Sequence, residues 1–329
     1  MRPRAAVTLL VCAALVAGAA QLSGCGSSPS SATVQDATLV LDFTPNAIHA
    51  GIYSAIARTY DQDAGVHLHV VAPSSSTDSI KLLETGRADF AILDIHDLAI
   101  ARERGKDVVG IMAIVQLPLA AVLVAPQIHS PRQLDGKTVG VTGVPSDTAV
   151  LRSIVAGARG NPRRVKTITI GFNAVPALLA HRVAGATAFW NDEGVTLRRR
   201  RPGFRVFRVD RYGAPAYPEL VLCATGSSLR QNPGLARGVL RALVRGYGLT
   251  RADPAGSAAN LESLVPGLDP PLVAVELAAE RSSFVRPGGH FGELDPRSLR
   301  AWADWEVKFG IVKRRPDLAR MFNPAFLPG

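Results

Sequence analysis

The sequence predicts an α/β chain folded as two lobes with a cleft between them, and three observations carry that expectation. Short, nearly uncharged apolar runs alternate with stretches at helical spacing. The alternation occurs twice, over residues 38–115 and again over 120–224, and gives way to a purely helical tail. The length of 329 residues, with 47% apolar and 19% charged side chains, suits two cores rather than one and excludes a disordered chain.

In the first set, residues 38–43 (TLVLDF) read as a buried strand and 48–60 as a helix. A strand follows at 66–71, then a helix at 76–85 opened by a Ser/Thr/Asp cluster suited to N-capping. Residues 88–93 read as a strand, 96–104 as a helix and 108–115 as a strand. Runs that are apolar on both faces, joined by helices, predict parallel strands in βαβ units with right-handed crossovers. The second set places strands at 120–125, 138–141, 167–171, 186–190 and 204–209, with helices at 148–158 and 175–182. Residues 220–224 return to a strand pattern, and helices are expected at 233–250, 257–264, 271–284 and 296–309.

The N-terminus reads as an export signal. Arg2 and Arg4 precede an uncharged apolar run at 7–20 that is too short to span a membrane comfortably. Leu22-Ser23-Gly24-Cys25 then resembles a bacterial lipobox, with small residues before a cysteine whose thiol takes a diacylglycerol. Residues 1–24 are thus expected to be a lipoprotein signal peptide and 25–36 a flexible tether containing Gly26-Ser27-Ser28-Pro29-Ser30-Ser31. Lipidation at Cys25 would hold the chain on the outer face of the cytoplasmic membrane. Removing the signal also removes Cys12 and leaves 35 Lys and Arg against 27 Asp and Glu, a mature charge of +8. The remaining Cys223, inside an apolar run, is expected to be a buried strand thiol, so no disulfide framework is possible. The basic balance invites nucleic acid, but export, scattered arginines and only 6% aromatic residues argue against it. Arg198-Arg199-Arg200-Arg201 reads as the solvated end of a helix, or as a patch drawn to an anionic membrane surface or an acidic permease loop.

An exported chain with two α/β lobes suggests a solute receptor, because pockets favour domain interfaces and the carboxyl ends of parallel strands. Those ends carry Asp42-Phe43-Thr44-Pro45-Asn46, Asp94, Gln116, Phe172-Asn173 and Trp190-Asn191-Asp192-Glu193. Leu41-Asp42-Phe43-Thr44-Pro45-Asn46 followed by His49-Ala50-Gly51-Ile52-Tyr53 resembles the LDWTPN…HxGxY signature. That signature marks the exported pyrimidine-precursor-binding proteins of thiamine-salvage ABC transporters and the related fungal thiamine-pyrimidine synthases. The resemblance continues through 83–91 (LETGRADFA), 134–140 (LDGKTVG), 171–179 (GFNAVPALL), 188–194 (AFWNDEG) and 217–222 (YPELVL), and covers roughly residues 37–320. The sequence departs from the signature at Phe43, where the family usually has Trp.

The resemblance implies a type II periplasmic-binding-protein-like clamshell. Lobe one would take residues 37–119 and, as a return strand and C-terminal helices, 221–329; lobe two would take 120–220, with the hinge near Pro118 and Glu219. It also implies a monomeric receptor that captures a thiamine-pyrimidine precursor, like formylaminopyrimidine or hydroxymethylpyrimidine, for an ABC permease and its ATPase, with no cofactor. Another flat solute such as riboflavin, a small sulfonate, or a sensor that kept the fold without a ligand are the alternatives.

The residues themselves suit a flat amine-bearing ring. Phe43, Tyr53, Trp190 and Tyr217 are candidate walls; Asp42, Asp94, Glu193 and Glu219 are acceptors for amine donors; Asn46, Asn191 and Gln116 can both donate and accept, and His49 is a further candidate ligand contact. Each has a plainer reading: Phe43 as core, Asp42 as a helix cap, Glu219 as a hinge carboxylate, His49 as a loop fastener. Ser146-Asp147 opens a helix that could receive an anion, although simple N-capping is the preferred reading. Asp94-Ile95-His96-Asp97 reads as an ordinary helix start. His67 and His69 share a strand face, but no third ligand is near in sequence, so no metal is expected. Catalysis is not expected either. The fungal synthases use their own Lys and His with pyridoxal phosphate and a cysteine-rich run. Here Leu93 falls where that Lys would stand, residues 212–222 hold no Cys, and neither Gly-x-Ser-x-Gly nor His-Glu-x-x-His occurs.

Overall fold

A computed structural model describes residues 34–75, 77–144 and 146–328; the expected signal peptide, Cys25 and the expected tether up to residue 33 lie outside the described residues. Ten strands are present among them: β1 Gln35–Val40, β2 Val66–Val71, β3 Phe90–Asp94, β4 Val108–Val115, β5 Ala120–Val124, β6 Thr138–Val141, β7 Lys166–Thr169, β8 Gly185–Phe189, β9 Arg205–Arg208 and β10 Leu220–Thr225. They form two five-stranded sheets, ordered β2-β1-β3-β10-β4 and β7-β6-β8-β5-β9. Because β1 begins at Gln35, the last two residues assigned to the tether already belong to the first sheet.

Both sheets are mixed, which corrects the expectation of parallel strands throughout. β1 runs parallel to β2 and β3, but β10 lies antiparallel between β3 and β4. In the second sheet β5 lies antiparallel between β8 and β9. The cause is topological. Each inserted strand enters its sheet at the end where the neighbouring strands finish, as the pairs Leu220↔Asp94 and Ala120↔Phe189 show. It therefore runs against them. Apolar runs report burial on both faces and carry no information on direction.

The helices start where their caps dictate. Asn46 forms a capping box with His49 ahead of the 3₁₀ turn Ala47–His49. Asn232, Asp253 and Asp295 accept backbone N–H groups ahead of Pro233, Pro254 and Pro296, each at a first helical turn. The single helix expected at 48–60 is instead a 3₁₀ turn, the helix Ala50–Ala57 and a short helix Tyr60–Asp63. It breaks at Thr59, whose φ of 53° is left-handed. The predicted helix at 271–284 likewise ends at Glu280 in a 3₁₀ turn over Arg281–Ser283.

The C-terminal helices complete the first sheet's core, where Leu39, Leu41, Ile52, Leu240, Leu243 and Tyr247 are packed together out of solvent. The helices Ala50–Ala57 and Pro233–Ala252 cross at two glycines. A Cβ on Gly246 would lie 2.0 Å from the Gly51 carbonyl oxygen, and one on Gly51 would lie 2.3 Å from the Tyr247 ring. The glycine of the His49–Tyr53 signature thus makes room for an aromatic ring rather than for a ligand. Cys223 is fully buried in β10, as its apolar run implied. Among the described residues no helix is long and apolar enough to cross a membrane.

Candidate functional site

The carboxyl ends of β1, β3, β6 and β8 face one another across a cleft of about 410 Å³. This volume lies within the range of small-molecule sites. The first sheet contributes Asp42, Phe43, Asp94 and Asp97, while the second contributes Ser146, Asp147, Phe172, Phe189, Asp192 and Glu193. Phe43 and Phe172 meet edge to face with ring centroids 4.4 Å apart, so an aromatic pair spans the gap. Lys81, Arg104 and Lys106 border the cleft on the side of the first sheet's helices, and Lys106 pairs with Glu84 at 3.0 Å.

Asp42 is aimed by a short relay. His49 is fully buried; its Nδ1 accepts the Asn46 backbone N–H at 3.2 Å. That leaves the proton on Nε2, which donates to Asp42 Oδ1 at 3.0 Å. His49 therefore positions a cleft carboxylate without reaching the cleft.

Five further carboxyl groups of the cleft are shifted upward by their surroundings. Burial pushes Asp94 up to about 8, helped by Glu219 and Glu306 and opposed by His96. Burial also lifts Asp97 well above the ordinary range, with Asp94 and Asp147 adding to it. Asp147 rises by burial against the pull of the Thr142 hydroxyl and the Thr142 and Gly143 N–H groups. Asp192 is lifted to about 6 by burial, and Glu193 to about 8 by burial and its neighbour Asp192. A desolvated carboxyl kept protonated is costly to ionise, and a donor-bearing or cationic guest would relieve that cost.

The lobes touch on both sides of the cleft. Asn46 Nδ2 donates to Asp192 Oδ2 at 2.7 Å, Asn191 Nδ2 to Glu280 Oε2 at 2.6 Å, and Arg199 to the Pro271 carbonyl at 2.7 Å. On the opposite side Ser146 Oγ donates to Asp97 Oδ1 at 3.0 Å. Behind them, the two crossings between sheets are tied together. Glu219 accepts the backbone N–H groups of Leu119 and of Ala120, the latter at 2.9 Å. Trp190 Nε1 donates to the Pro118 carbonyl at 3.0 Å, and the Arg208 guanidinium sits 4.1 Å above its ring. His96 is buried against Glu306 and Tyr217. Burial alone would lower the imidazole, but Glu306, Asp94 and Glu219 outweigh it and raise it to about 10.

Of the residues singled out from sequence, Asp42, Phe43, Asp94, Ser146 and Glu193 come together in the cleft. The others do not, for identifiable reasons. Tyr53 packs in the helix Ala50–Ala57, and Asn46 joins the lobes. Gln116 clamps the C-terminal region, donating to the His290 carbonyl at 2.6 Å and accepting the Arg286 N–H at 2.9 Å. Trp190, Tyr217 and Glu219 belong to the buried crossings, and Asn191 is taken by Glu280. Nor does the helix Asp147–Gly157 offer an anion site, because Asp147 itself accepts the N–H groups of Thr142 and Gly143 there and Asp97 stands opposite. The cleft also takes Phe172 and Asp192, which the sequence places at strand ends without giving them to the ligand, Asp97 and Asp147, which it reads as helix starts, and Phe189, which it does not single out. Their signal was available: Phe172 follows a predicted strand end, and Asp192 sits between two residues that were chosen.

The fold and the cleft define a two-lobed α/β protein with the periplasmic-binding-protein fold. The chain superposes on the alkanesulfonate-binding protein SsuA from Xanthomonas axonopodis pv. citri with a TM-score of 0.70 at 16% identity, covering 88% of this chain and 99% of that one. Residues 46–257 match the family described as NMT1/THI5 like, and the chain belongs to that family. It is 27% identical over 294 residues to a formylaminopyrimidine-binding protein of Halalkalibacterium halodurans, covering 86% of this chain and 89% of the relative. It is also 24% identical over 299 residues to a 4-amino-5-hydroxymethyl-2-methylpyrimidine phosphate synthase of Legionella pneumophila, covering 88% and 92%.

Proposed function

We propose that the chain is an exported, lipid-anchored, monomeric solute-binding protein. It captures a thiamine-pyrimidine precursor, formylaminopyrimidine or hydroxymethylpyrimidine-like, and delivers it to an ABC permease and its ATPase. The observation that carries this reading is the pairing, in one inter-lobe cleft, of phenyl rings from both lobes with a concentration of carboxyl groups. An aminopyrimidine presents a flat face for the rings and amine donors for the acids. A sulfonate would bring negative charge against Asp192, ionised above about pH 6, so the same cleft disfavours it.

Lobe one takes residues 35–119 and 220–329 and lobe two 120–219, since β1 opens at Gln35 and β10 at Leu220 in the first sheet, and the crossings at Pro118 and Glu219 act as the hinge. Guest enters when the lobes are apart. The Asn46–Asp192, Asn191–Glu280 and Ser146–Asp97 bonds join the lobes beside the cleft, and closure over a guest would be held by such inter-lobe contacts together with those the guest makes to both lobes. Binding without turnover fits the cleft. Leu93 lines it with no amine to offer, while Lys81 donates to Thr77 and Lys106 pairs with Glu84. Export and anchoring at Cys25 rest on the leader sequence.

Thermal denaturation of the mature protein tests the reading. Formylaminopyrimidine or hydroxymethylpyrimidine at about a hundredfold over Kd should raise Tm by about 5 °C or more, and be recovered chemically unchanged. Riboflavin and a short alkanesulfonate should give no shift. Absence of a shift with both pyrimidines, or a larger one with the sulfonate, overturns it.

A further inference from the structure

The sequence places His67 and His69 on one face of a strand without a third ligand nearby, and the fold supplies that ligand from the neighbouring strand. β1 and β2 are parallel partners in a register that sets Asp36 beside His67 and Thr38 beside His69. The two-residue period turns both imidazoles outward while Leu68 between them is buried. Asp36 emerges beside them, with Oδ1 3.1 Å from His67 Nδ1 and 2.9 Å from His69 Nε2. The two imidazole rings lie 4.3 Å apart, and one donor atom from each of the three residues falls within 4.8 Å of the others.

We propose that Asp36, His67 and His69 form a surface site for a divalent transition-metal ion such as Zn²⁺ or Cu²⁺. Bonds of about 2.0–2.1 Å in a tetrahedral site put its ligand atoms about 3.3 Å apart, so the two Asp36–His separations need open by only a few tenths of an ångström, with the two imidazole donors within 4.8 Å of each other. Two imidazoles and one carboxylate suit zinc, copper or nickel, whereas calcium and magnesium call for oxygen alone. The ligands stand on paired strands rather than loops, which fixes their spacing. All three are exposed on β2, an edge strand, and on its neighbour, so an ion has direct access and a further position stays open to water or an incoming donor. Among the described residues no Lys or Arg pairs with Asp36.

The site lies at the amino ends of β1 and β2, while Asp42 and the cleft lie beyond the carboxyl end of β1, so the inference stands apart from the ligand reading. A second convergent set, Asp94, His96 and Glu219, is already spent: Glu306 holds His96 and two backbone N–H groups hold Glu219.

The test uses the mature chain free of any histidine tag, with Zn²⁺ measured by competition against a chromophoric chelator and Cu²⁺ by electron paramagnetic resonance. One ion per chain, with hyperfine coupling to two imidazole nitrogens, is expected. The His67→Gln/His69→Gln double variant should bind at least about tenfold more weakly while keeping its melting temperature. Absence of binding at micromolar metal, or equal affinity in the double variant, overturns the proposal. Equal affinity would move the ion to other exposed histidines such as His129, His181 or His290.

Discussion

Asp42 is the side chain on which the cleft's chemistry turns, because it alone among the cleft acids is fixed by a neutral imidazole whose tautomer the backbone dictates. Asp42→Asn keeps the size and removes the charge-assisted acceptor. It should weaken pyrimidine binding by about 1.5–3 kcal/mol, ten- to hundredfold in Kd by calorimetry. Trp190→Phe makes the opposite prediction. It removes the bond to the Pro118 carbonyl and should lower stability by about 1 kcal/mol while leaving affinity nearly unchanged. A large loss of affinity in Trp190→Phe would return the indole to the ligand. At this scale the sequence was half legible. A strand end identifies Asp42, Asp94 and Glu193 as cleft residues because strand ends are where the chain leaves the sheet. It cannot show that Trp190, one residue beyond β8, folds back onto Pro118 instead of forward.

At the scale of elements, the apolar runs located all ten strands but were silent on direction, since β5 and β10 are as apolar as the parallel strands around them. Helix starts were legible where Asn or Asp precedes Pro. The break at Thr59 was not, because Thr rarely adopts a left-handed φ and nothing in the residue type marks this one. The crossing of the helices Ala50–Ala57 and Pro233–Ala252 gives a contrast between two glycines one turn apart or less. Gly246→Ala forces a methyl into the Gly51 carbonyl and should cost about 1–3 kcal/mol or more by chemical denaturation. Gly248→Ala meets nothing within 4 Å and should be neutral or stabilise by about 0.5–1 kcal/mol. Equal effects at both positions would deny that close backbone approach selects Gly246.

At the scale of the whole molecule, its buried acids and His96 make stability depend on pH in one direction. An unfolded carboxyl loses its proton near about pH 4. Asp94 and Glu193 keep theirs up to about 8 when folded, and Asp192 keeps its own to about 6. Across that window the folded chain holds more protons than the unfolded one, so stability falls as pH rises. His96 acts in the same sense: its contribution is complete below the unfolded value of about 6.5 and is lost as pH approaches about 10. Ligand-free protein should therefore melt highest near about pH 5 and progressively lower toward about pH 9. Glu193→Gln should flatten the part of the slope between about pH 5 and 8. A melting temperature that rises over this range would contradict the burial of these groups.

The acids that await a guest carry hydrogen with them. A pyrimidine whose amines take the place of those protons must drive them into the surrounding solution, so capture and acid release become one event. The heat recorded on mixing would then track the ionisation enthalpy of whatever buffer absorbs them, and the tightness of the grip would grow as the medium turns alkaline.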